Sequence, residues 1–187
     1  ATFLRHEKTV LEPNGPALRP LQNGYLLEVS LDGRSVLTAS EHTVFLLDFL
    51  TGEQRLPPFE FPEFSPRISH VKFNPDAEKL VAIGFNGGVQ VRNAATGEKL
   101  PLSLTRPESV IDADLSPDGR WVAVGSGGTA QIFDANTGSL ITSPLPHSGS
   151  VWGVRFHPDG RHLATANVQP LVRLWNVAAG QFSGPVF

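Results

Sequence analysis

The stretch HPDGRHLATANVQPLVRLWNVAAG, residues 157–180, contains a Pro-Asp-Gly turn, two short β-patterned runs and a second turn at Gly180. The runs HLATAN and LVRLWNV are short, rich in β-branched and apolar residues, and bounded by turn residues, which is typical of strands. Proline presets φ, aspartate bonds back to the backbone and glycine accepts positive φ, so HPDG predicts a tight turn. This stretch alone therefore predicts antiparallel strands joined by tight turns.

The same turn recurs along the chain as SLDGR, NPDAE, SPDGR and HPDGR, whose aspartates are spaced 44, 42 and 41 residues apart. A glycine turn follows each of them after about 20 residues, as in TGE and TGS. A shared period of this size indicates an internal repeat. The turn aspartates, which we expect to be structural, are Asp32, Asp76, Asp118 and Asp159.

Each repeat is predicted to form four short antiparallel strands with apolar residues on both faces. Radial stacking of such sheets buries both faces and leaves only short edges, so the sequence predicts an all-β fold, a β-propeller of four-stranded antiparallel blades. We expect four complete units and a partial N-terminal one within a single domain. The approximate unit boundaries are 1–23 (partial), 24–59, 60–104, 105–145 and 146–187.

The segment VWGVRFHPDGRHLATANVQPLVRLWNVAAG, from Val151 to Gly180, resembles a WD repeat of the β-propeller class. The likeness is strongest to repeats of large bacterial multidomain proteins, some of which carry a kinase domain, and it extends from Gly15 to Phe187. It implies a noncatalytic scaffold that presents loops to protein or peptide partners. His147 and Trp175 match two places of the family's buried hydrogen-bond tetrad, whose aspartate place falls near Val168 or Gln169. A buried polar network that lacks a member carries an uncompensated desolvation cost, so we expect incomplete tetrads to lower blade stability.

Composition narrows the possible functions. A net charge of −3 supplies no basic excess for general nucleic-acid binding. No apolar run approaches the roughly 18 residues that a membrane-spanning helix needs, so we expect no membrane partner. Cysteine is absent, which excludes disulfides and thiolate ligands and leaves the compartment undetermined, with the cytoplasm favoured. No cofactor is predicted.

The number of blades predicts association. Rings of this family usually contain about seven or eight blades, and this chain supplies fewer than five. Methionine is absent and the sequence begins at Ala1, which suggests a processed chain or a piece of a longer one. We therefore expect a segment of a larger ring or a homo-oligomeric ring rather than a closed monomer.

A search for reactive groups predicts neither a catalytic site nor a metal site. The six histidines are scattered without metal-ligand spacing. Asp112 and Asp114, two residues apart on one predicted strand, share a face and are the only hint of a carboxylate pair. The alternative function is therefore a propeller-type enzyme, a metal-dependent hydrolase or lactonase with carboxylates at the channel mouth.

A column of alternating charge accompanies the repeated turn. Four residues before each turn aspartate the charge runs minus, plus, minus, plus, which predicts ion pairing between the innermost strands of neighbouring blades. The alternative is a solvated channel wall with accidental alternation. The column consists of Glu28, Lys72, Asp114 and Arg155.

The segment PPFEFPEFSPR, Pro57–Arg67, places three phenylalanines among prolines in an outer-to-inner connection between blades. Two interpretations stay open: the rings pack into the cleft between blades, or at least one ring is an aromatic anchor with an acidic rim, as at interface hot spots. The candidate partner-binding residues are Phe59, Glu60, Phe61, Glu63 and Phe64.

Overall fold

The computed structural model of the protein describes residues 26–104, 110–169, 171–178 and 181–182. The partial N-terminal unit predicted for 1–23 lies outside these residues. The described part of the chain contains sixteen β-strands and no α-helix, and hence no helix long and apolar enough to cross a membrane. The strands are β1 Leu26–Val29, β2 Ser35–Ser40, β3 Thr43–Asp48, β4 Phe59–Glu60, β5 Ile68–Phe73, β6 Lys79–Gly84, β7 Val89–Asn93, β8 Lys99–Leu104, β9 Val110–Leu115, β10 Trp121–Ser126, β11 Thr129–Asp134, β12 Leu145–Pro146, β13 Val151–Phe156, β14 His162–Asn167, β15 Val172–Asn176 and β16 Gln181–Phe182.

These strands form four sheets, each with four antiparallel strands in chain order. We call them blade 1 (β1–β4), blade 2 (β5–β8), blade 3 (β9–β12) and blade 4 (β13–β16). The predicted all-β fold of four-stranded antiparallel blades is confirmed. The unit boundaries proposed from the sequence stay predictions.

Turn residues join the first and second strands of each blade. In blade 1, Ser30 Oγ donates to Asp32 Oδ1 at 2.6 Å, the same oxygen accepts from the Arg34 amide at 3.0 Å, and Gly33 has φ 69°. Blade 3 repeats this arrangement around Asp118, and in blade 4 the Arg161 amide donates to Asp159 Oδ1 at 2.7 Å. These aspartates stabilise the turns locally, in the way that favours aspartate in such positions.

The turn of blade 2 differs. Here Asn74 Oδ1 accepts from the Lys79 amide at 2.8 Å, and Asp76 makes no side-chain hydrogen bond to any described residue. Ala77 occupies the position of the turn glycine and has φ 55°, a conformation that L-residues adopt at a cost. The turn therefore keeps its shape with a different side chain bonding to the backbone.

Three hydrophobic clusters hold neighbouring blades together. One face of each blade packs against the opposite face of the next: Leu37 and Ala39 of blade 1 lie against blade 2, and Val81 and Ile83 of blade 2 against blade 3. Ala123 of blade 3 is likewise buried against Val154 and Leu163 of blade 4. The core is thus a series of interfaces between blades, and both faces of blades 2 and 3 are covered.

The corresponding face of blade 4 is different. It carries Ala164, Ala166, Val172 and Leu174, and none of these four residues is fully buried. Val172 is 37% exposed, whereas Val81 and Ile83 on the same face of blade 2 are each 1% exposed. Within the described residues, no blade covers this face as blade 4 covers blade 3.

Candidate functional site

The predicted charge column occupies one register position of the four innermost strands. Each member lies opposite the third residue of the second strand in its blade. The pairs are Glu28–Leu37, Lys72–Val81, Asp114–Ala123 and Arg155–Ala164. The repeat therefore brings four charged side chains to one level of an axial channel.

The ion pairs within this channel centre on Asp112. This residue lies on β9 two residues before Asp114 of the charge column, and on the same face of the strand. Its carboxylate lies 2.5 Å from Lys72 Nζ of blade 2 and 2.5 Å from Arg155 Nη1 of blade 4, and it accepts from the Val154 amide at 3.0 Å. Asp112 is only 6% exposed, so three donors compensate for its desolvation. The ion pairs between blades are therefore formed by Asp112, which is not a member of the predicted charge column.

Asp114 forms no ion pair with Lys72 or Arg155. Its carboxylate accepts from the Phe156 amide of blade 4 at 2.8 Å, and burial raises its pKa above the ordinary value, partly opposed by this hydrogen bond. Burial likewise raises the pKa of Glu28, with the positive charges of Lys72 and Arg155 acting in the opposite direction. Glu28 makes no hydrogen bond or ion pair with any described residue. Neither carboxylate forms a direct ion pair with a described residue, although the charges of Lys72 and Arg155 act on both.

The phenylalanines of Pro57–Arg67 lie inside the molecule. Phe59, Phe61 and Phe64 are 4%, 0% and 1% exposed and belong to the cluster between blades 1 and 2. The Phe61 and Phe64 rings stack with centroids 5.2 Å apart. Phe64 fits because Gly84 and Gly88 lack side chains: a Cβ on either glycine would come within 2.8 Å of the Phe64 side chain. No ring of the three is available on the surface as an anchor, which corrects the second interpretation of this segment.

Polar groups of blade 2 hold this aromatic pair in place. The Arg92 guanidinium lies 4.7 Å from the Phe61 ring centroid and donates to the carbonyl oxygens of Glu60 at 2.7 Å and Gly97 at 3.0 Å. Arg92 Nε also donates to Gln90 Oε1 at 2.9 Å, and the Gln90 amide donates to the Glu63 carboxylate. Glu63 is thereby part of the structural network, while Glu60 is exposed.

A second polar network lies in blade 4. Trp175 Nε1 donates to Thr165 Oγ1 at 2.8 Å, His147 Nε2 lies 2.7 Å from the same oxygen, and His147 Nδ1 lies 3.0 Å from the Leu145 carbonyl oxygen. A carbonyl only accepts, so Nδ1 carries the proton and the Thr165 hydroxyl donates to Nε2. Burial lowers the pKa of His147, partly opposed by its hydrogen bond to Leu145, which agrees with a neutral ring.

Thr165 and Asp112 are the residues whose roles the sequence patterns missed. Thr165 stands ten residues before Trp175 and on the strand beside it, a spacing that would have identified it as the third tetrad member. The sequence indicates Asp112 only as a possible catalytic carboxylate. Among the residues that the structure describes, no group of three or more His, Cys, Asp or Glu side chains is placed to hold a metal ion.

Four antiparallel blades arranged around a channel define a β-propeller. Residues 99–134 and 138–176 match the model of the WD40 family, described as WD domain, G-beta repeat. Two segments of the chain therefore match WD40 repeats, and the resemblance inferred from the sequence is confirmed.

The crystal structure of the computationally designed Ika4 protein superposes on this chain with a TM-score of 0.66. The two sequences are 21% identical, and the match covers 81% of this chain and 89% of the designed one. At this identity the likeness shows the fold alone. No curated protein matches the chain.

Proposed function

We propose that the chain is a noncatalytic WD-repeat scaffold that binds a protein or peptide partner with the loops at one end of its blades. WD40 repeats are in general protein-interaction modules and typically lack catalytic activity. The loops at this end connect the second and third strands of a blade, or the last strand of one blade to the first strand of the next.

The observation that carries the proposal is an exposed aromatic–arginine pair above blade 2. Phe85 is 50% exposed, and the Arg67 guanidinium lies 5.0 Å from its ring centroid. Aromatic residues and arginine are enriched at the energetic centres of protein interfaces. This pair therefore has the composition of a partner-binding anchor.

The loops that carry this pair are fixed to the core. The Phe85 amide donates to the Arg67 carbonyl oxygen at 3.0 Å, and Asn86 Nδ2 donates to the Glu63 carbonyl oxygen at 2.8 Å. The buried rings of Phe61 and Phe64 hold the Arg67 segment from below. A preorganised anchor loses less conformational entropy on binding. The Phe-rich segment thus supports a binding surface instead of forming its contact surface.

The experiment is selection of peptides from a displayed random library, followed by calorimetric titration of the enriched peptides. We expect Phe85→Ala or Arg67→Ala to weaken binding at least about thirtyfold, because truncation of a hot-spot residue costs about 2 kcal/mol or more. Phe49→Ala is the matched control, because Phe49 is 47% exposed in a turn at the opposite end of blade 1.

The failure of the library to enrich any peptide would contradict the scaffold proposal. Peptides whose affinity depended on Phe49 but not on Phe85 or Arg67 would show that the binding surface lies at the opposite end of the blades from the one proposed. A stoichiometric metal ion together with esterase or lactonase activity would favour the enzyme alternative.

A homo-oligomeric or extended ring stays part of the proposal. Its support is the face of blade 4 that carries Val172 and Leu174, together with Trp152, which is 63% exposed. Large exposed apolar patches mark association sites. Light scattering at micromolar concentration should give a mass above that of one chain. A monomer that binds no apolar dye would overturn this part of the proposal.

A further inference from the structure

The end of the channel opposite the Phe85–Arg67 pair opens into a cavity of about 220 Å³, which we call the channel mouth. All four innermost strands and the turns that follow them contribute to its walls. Its collar is apolar: Leu31, Pro75, Pro117 and Pro158 occupy equivalent turn positions in the four blades. The repeat has thus produced a pocket that no single blade contains.

The charged residues that line the channel mouth in the described part of the chain are all of one sign. Of the four members of the charge column, the carboxylates of Glu28 and Asp114 line the cavity and the cations do not. Lys72 and Arg155 instead direct their donors towards Asp112 and towards main-chain carbonyl oxygens. The mouth therefore presents two acidic groups, beneath an apolar collar, to whatever enters it.

The volume limits the size of the ligand. Cavities that bind drug-sized molecules have volumes of about 300–1,000 Å³, so a cavity of about 220 Å³ fits a single side chain better than a ligand of that size. Leu31, 83% exposed, and Val29, 42% exposed, extend the apolar collar outwards, where a partner's main chain would lie. The mouth is therefore suited to one projecting residue of another protein.

We propose that the channel mouth binds a lysine side chain of a protein partner. The four-carbon stem would contact the apolar collar, and the ammonium group would reach Glu28 and Asp114 at the floor. An ammonium offers three donors, and the carboxylate of Glu28 accepts no hydrogen bond from any described residue. This assignment rests on the proposed scaffold function and gives it a second site with a defined partner chemistry.

The test is an NMR titration of the intact chain with Nα-acetyl-lysine methylamide, followed at the backbone amides of Gly33, Gly119 and Gly160 in the turns around the mouth. Nα-acetyl-norleucine methylamide is the matched probe, because it keeps the stem and lacks the charge. We expect the lysine probe alone to shift these resonances in saturable fashion, with weaker binding at high salt.

Substitutions assign the contact to the floor carboxylates. Glu28→Gln and Asp114→Asn should each weaken lysine-probe binding about fivefold, the upper range for a solvent-accessible ion pair. Glu98→Gln, at an exposed carboxylate in a turn of blade 2, should leave it unchanged. If Asp114→Asn disturbs the fold through the Phe156 amide, Glu28→Gln still decides the test, since the Glu28 carboxylate holds no described residue in place.

Several outcomes would overturn the assignment. They are no shift with the lysine probe, equal binding of the norleucine probe, tighter binding of the corresponding arginine amide, or unchanged affinity in Glu28→Gln. Selected peptides that depend on Phe85 and Arg67 but ignore Glu28 would leave the scaffold function standing without this site. The two proposals therefore fail separately.

Discussion

Blades 2 and 4 fill one position of the repeat in two different ways. In blade 4, His147 stands four residues before the innermost strand and joins Thr165 and Trp175 in a polar network. In blade 2, Phe64 stands four residues before the innermost strand, and Arg92 takes the place of the tryptophan.

The two solutions depend on different physical conditions. The polar network of blade 4 requires each buried donor to find an acceptor, so its members depend on one another. The aromatic solution of blade 2 requires space, which Gly84 and Gly88 provide, and a guanidinium whose donors reach carbonyl oxygens. A departure from the family tetrad is therefore not in itself a defect of the blade.

The largest effect should follow removal of the aromatic ring from blade 2. Phe64→Ala leaves a cavity in a cluster with a 1% exposed ring and should lower the free energy of unfolding by about 3–5 kcal/mol. Urea unfolding measures it, and Phe85→Ala, at a half-exposed ring, should cost about 1 kcal/mol or less. Equal losses in the two variants would show that the Phe64 ring is not a core residue.

A methyl group at Gly88 should disturb the same packing from the opposite side. Gly88→Ala places a Cβ 2.8 Å from Phe64 Cε1, so we expect a loss of about 1–3 kcal/mol from overpacking. In a Phe64→Leu background the loss should become smaller, and a double-mutant cycle measures this coupling. If the effects of Gly88→Ala and Phe64→Leu were strictly additive, the absence of a side chain at Gly88 would not be what makes room for the Phe64 ring.

Thr165→Val tests the polar solution in blade 4. The substitution keeps the shape of the side chain and removes the hydroxyl that bonds to the Trp175 indole N–H and to His147 Nε2, at a cost of about 1–3 kcal/mol. Thr129→Val, at a half-buried threonine whose side chain bonds to no described residue, is the matched control. Equal losses of unfolding free energy in Thr165→Val and Thr129→Val would show that the polar network does not stabilise blade 4.

The pH dependence should distinguish the shared position of the two blades, because blade 4 has the titratable His147 there and blade 2 has Phe64. The folded-state pKa of His147 is lowered, so its contribution to stability is present above the unfolded-state pKa of about 6.5 and is lost as the pH falls below it. His70, whose pKa burial also lowers, acts in the same direction.

We therefore expect His147→Gln to flatten the decrease in unfolding free energy between about pH 7 and 5.5, because the unfolded chain then binds one proton fewer. Urea titrations at each pH measure the slope. Phe64→Leu, which changes the equivalent place in blade 2, should leave the slope as it is. An unchanged slope in His147→Gln would contradict the neutral, buried state of this ring.

The smallest effect concerns the turn of blade 2. Ala77→Gly relieves a positive φ that glycine adopts freely and should raise the free energy of unfolding by about 0.5 kcal/mol, after the loss of a half-buried methyl group. Ala95→Gly, at an exposed alanine in another turn of blade 2, should not stabilise the chain. A loss in Ala77→Gly would show that the methyl contact outweighs the backbone strain.

The repeated turns made the fold predictable, because local chemistry fixes them: Asp32, Asp118 and Asp159 bond within two or three residues of themselves. The register of the charge column followed from the same repeat. The pairing within the channel did not, since the choice of Asp112 over Asp114 depends on distances between blades.

Burial of the Phe-rich segment was foreseen only as one of two interpretations. Its outcome depends on Gly84 and Gly88, which lie 20 or more residues further along the chain, at the turn between β6 and β7 of blade 2. Sequence spacing predicts contacts within a blade far better than contacts between blades. The hydrogen bond between Trp175 and Thr165 is an exception. It lies within one blade, and the ten-residue spacing could have predicted it, but the sequence patterns missed it.

The three clusters between blades have a consequence for cooperativity. Each cluster joins only two successive blades, so the folding energy is close to a sum of nearest-neighbour couplings. A blade that shares two clusters unfolds only when both couplings are lost, whereas blade 4 shares a single cluster within the described residues. Amide hydrogen exchange should accordingly be slowest in β6 and β10, whose blades share two clusters, and faster in β2 and β14, whose blades each share one within the described residues.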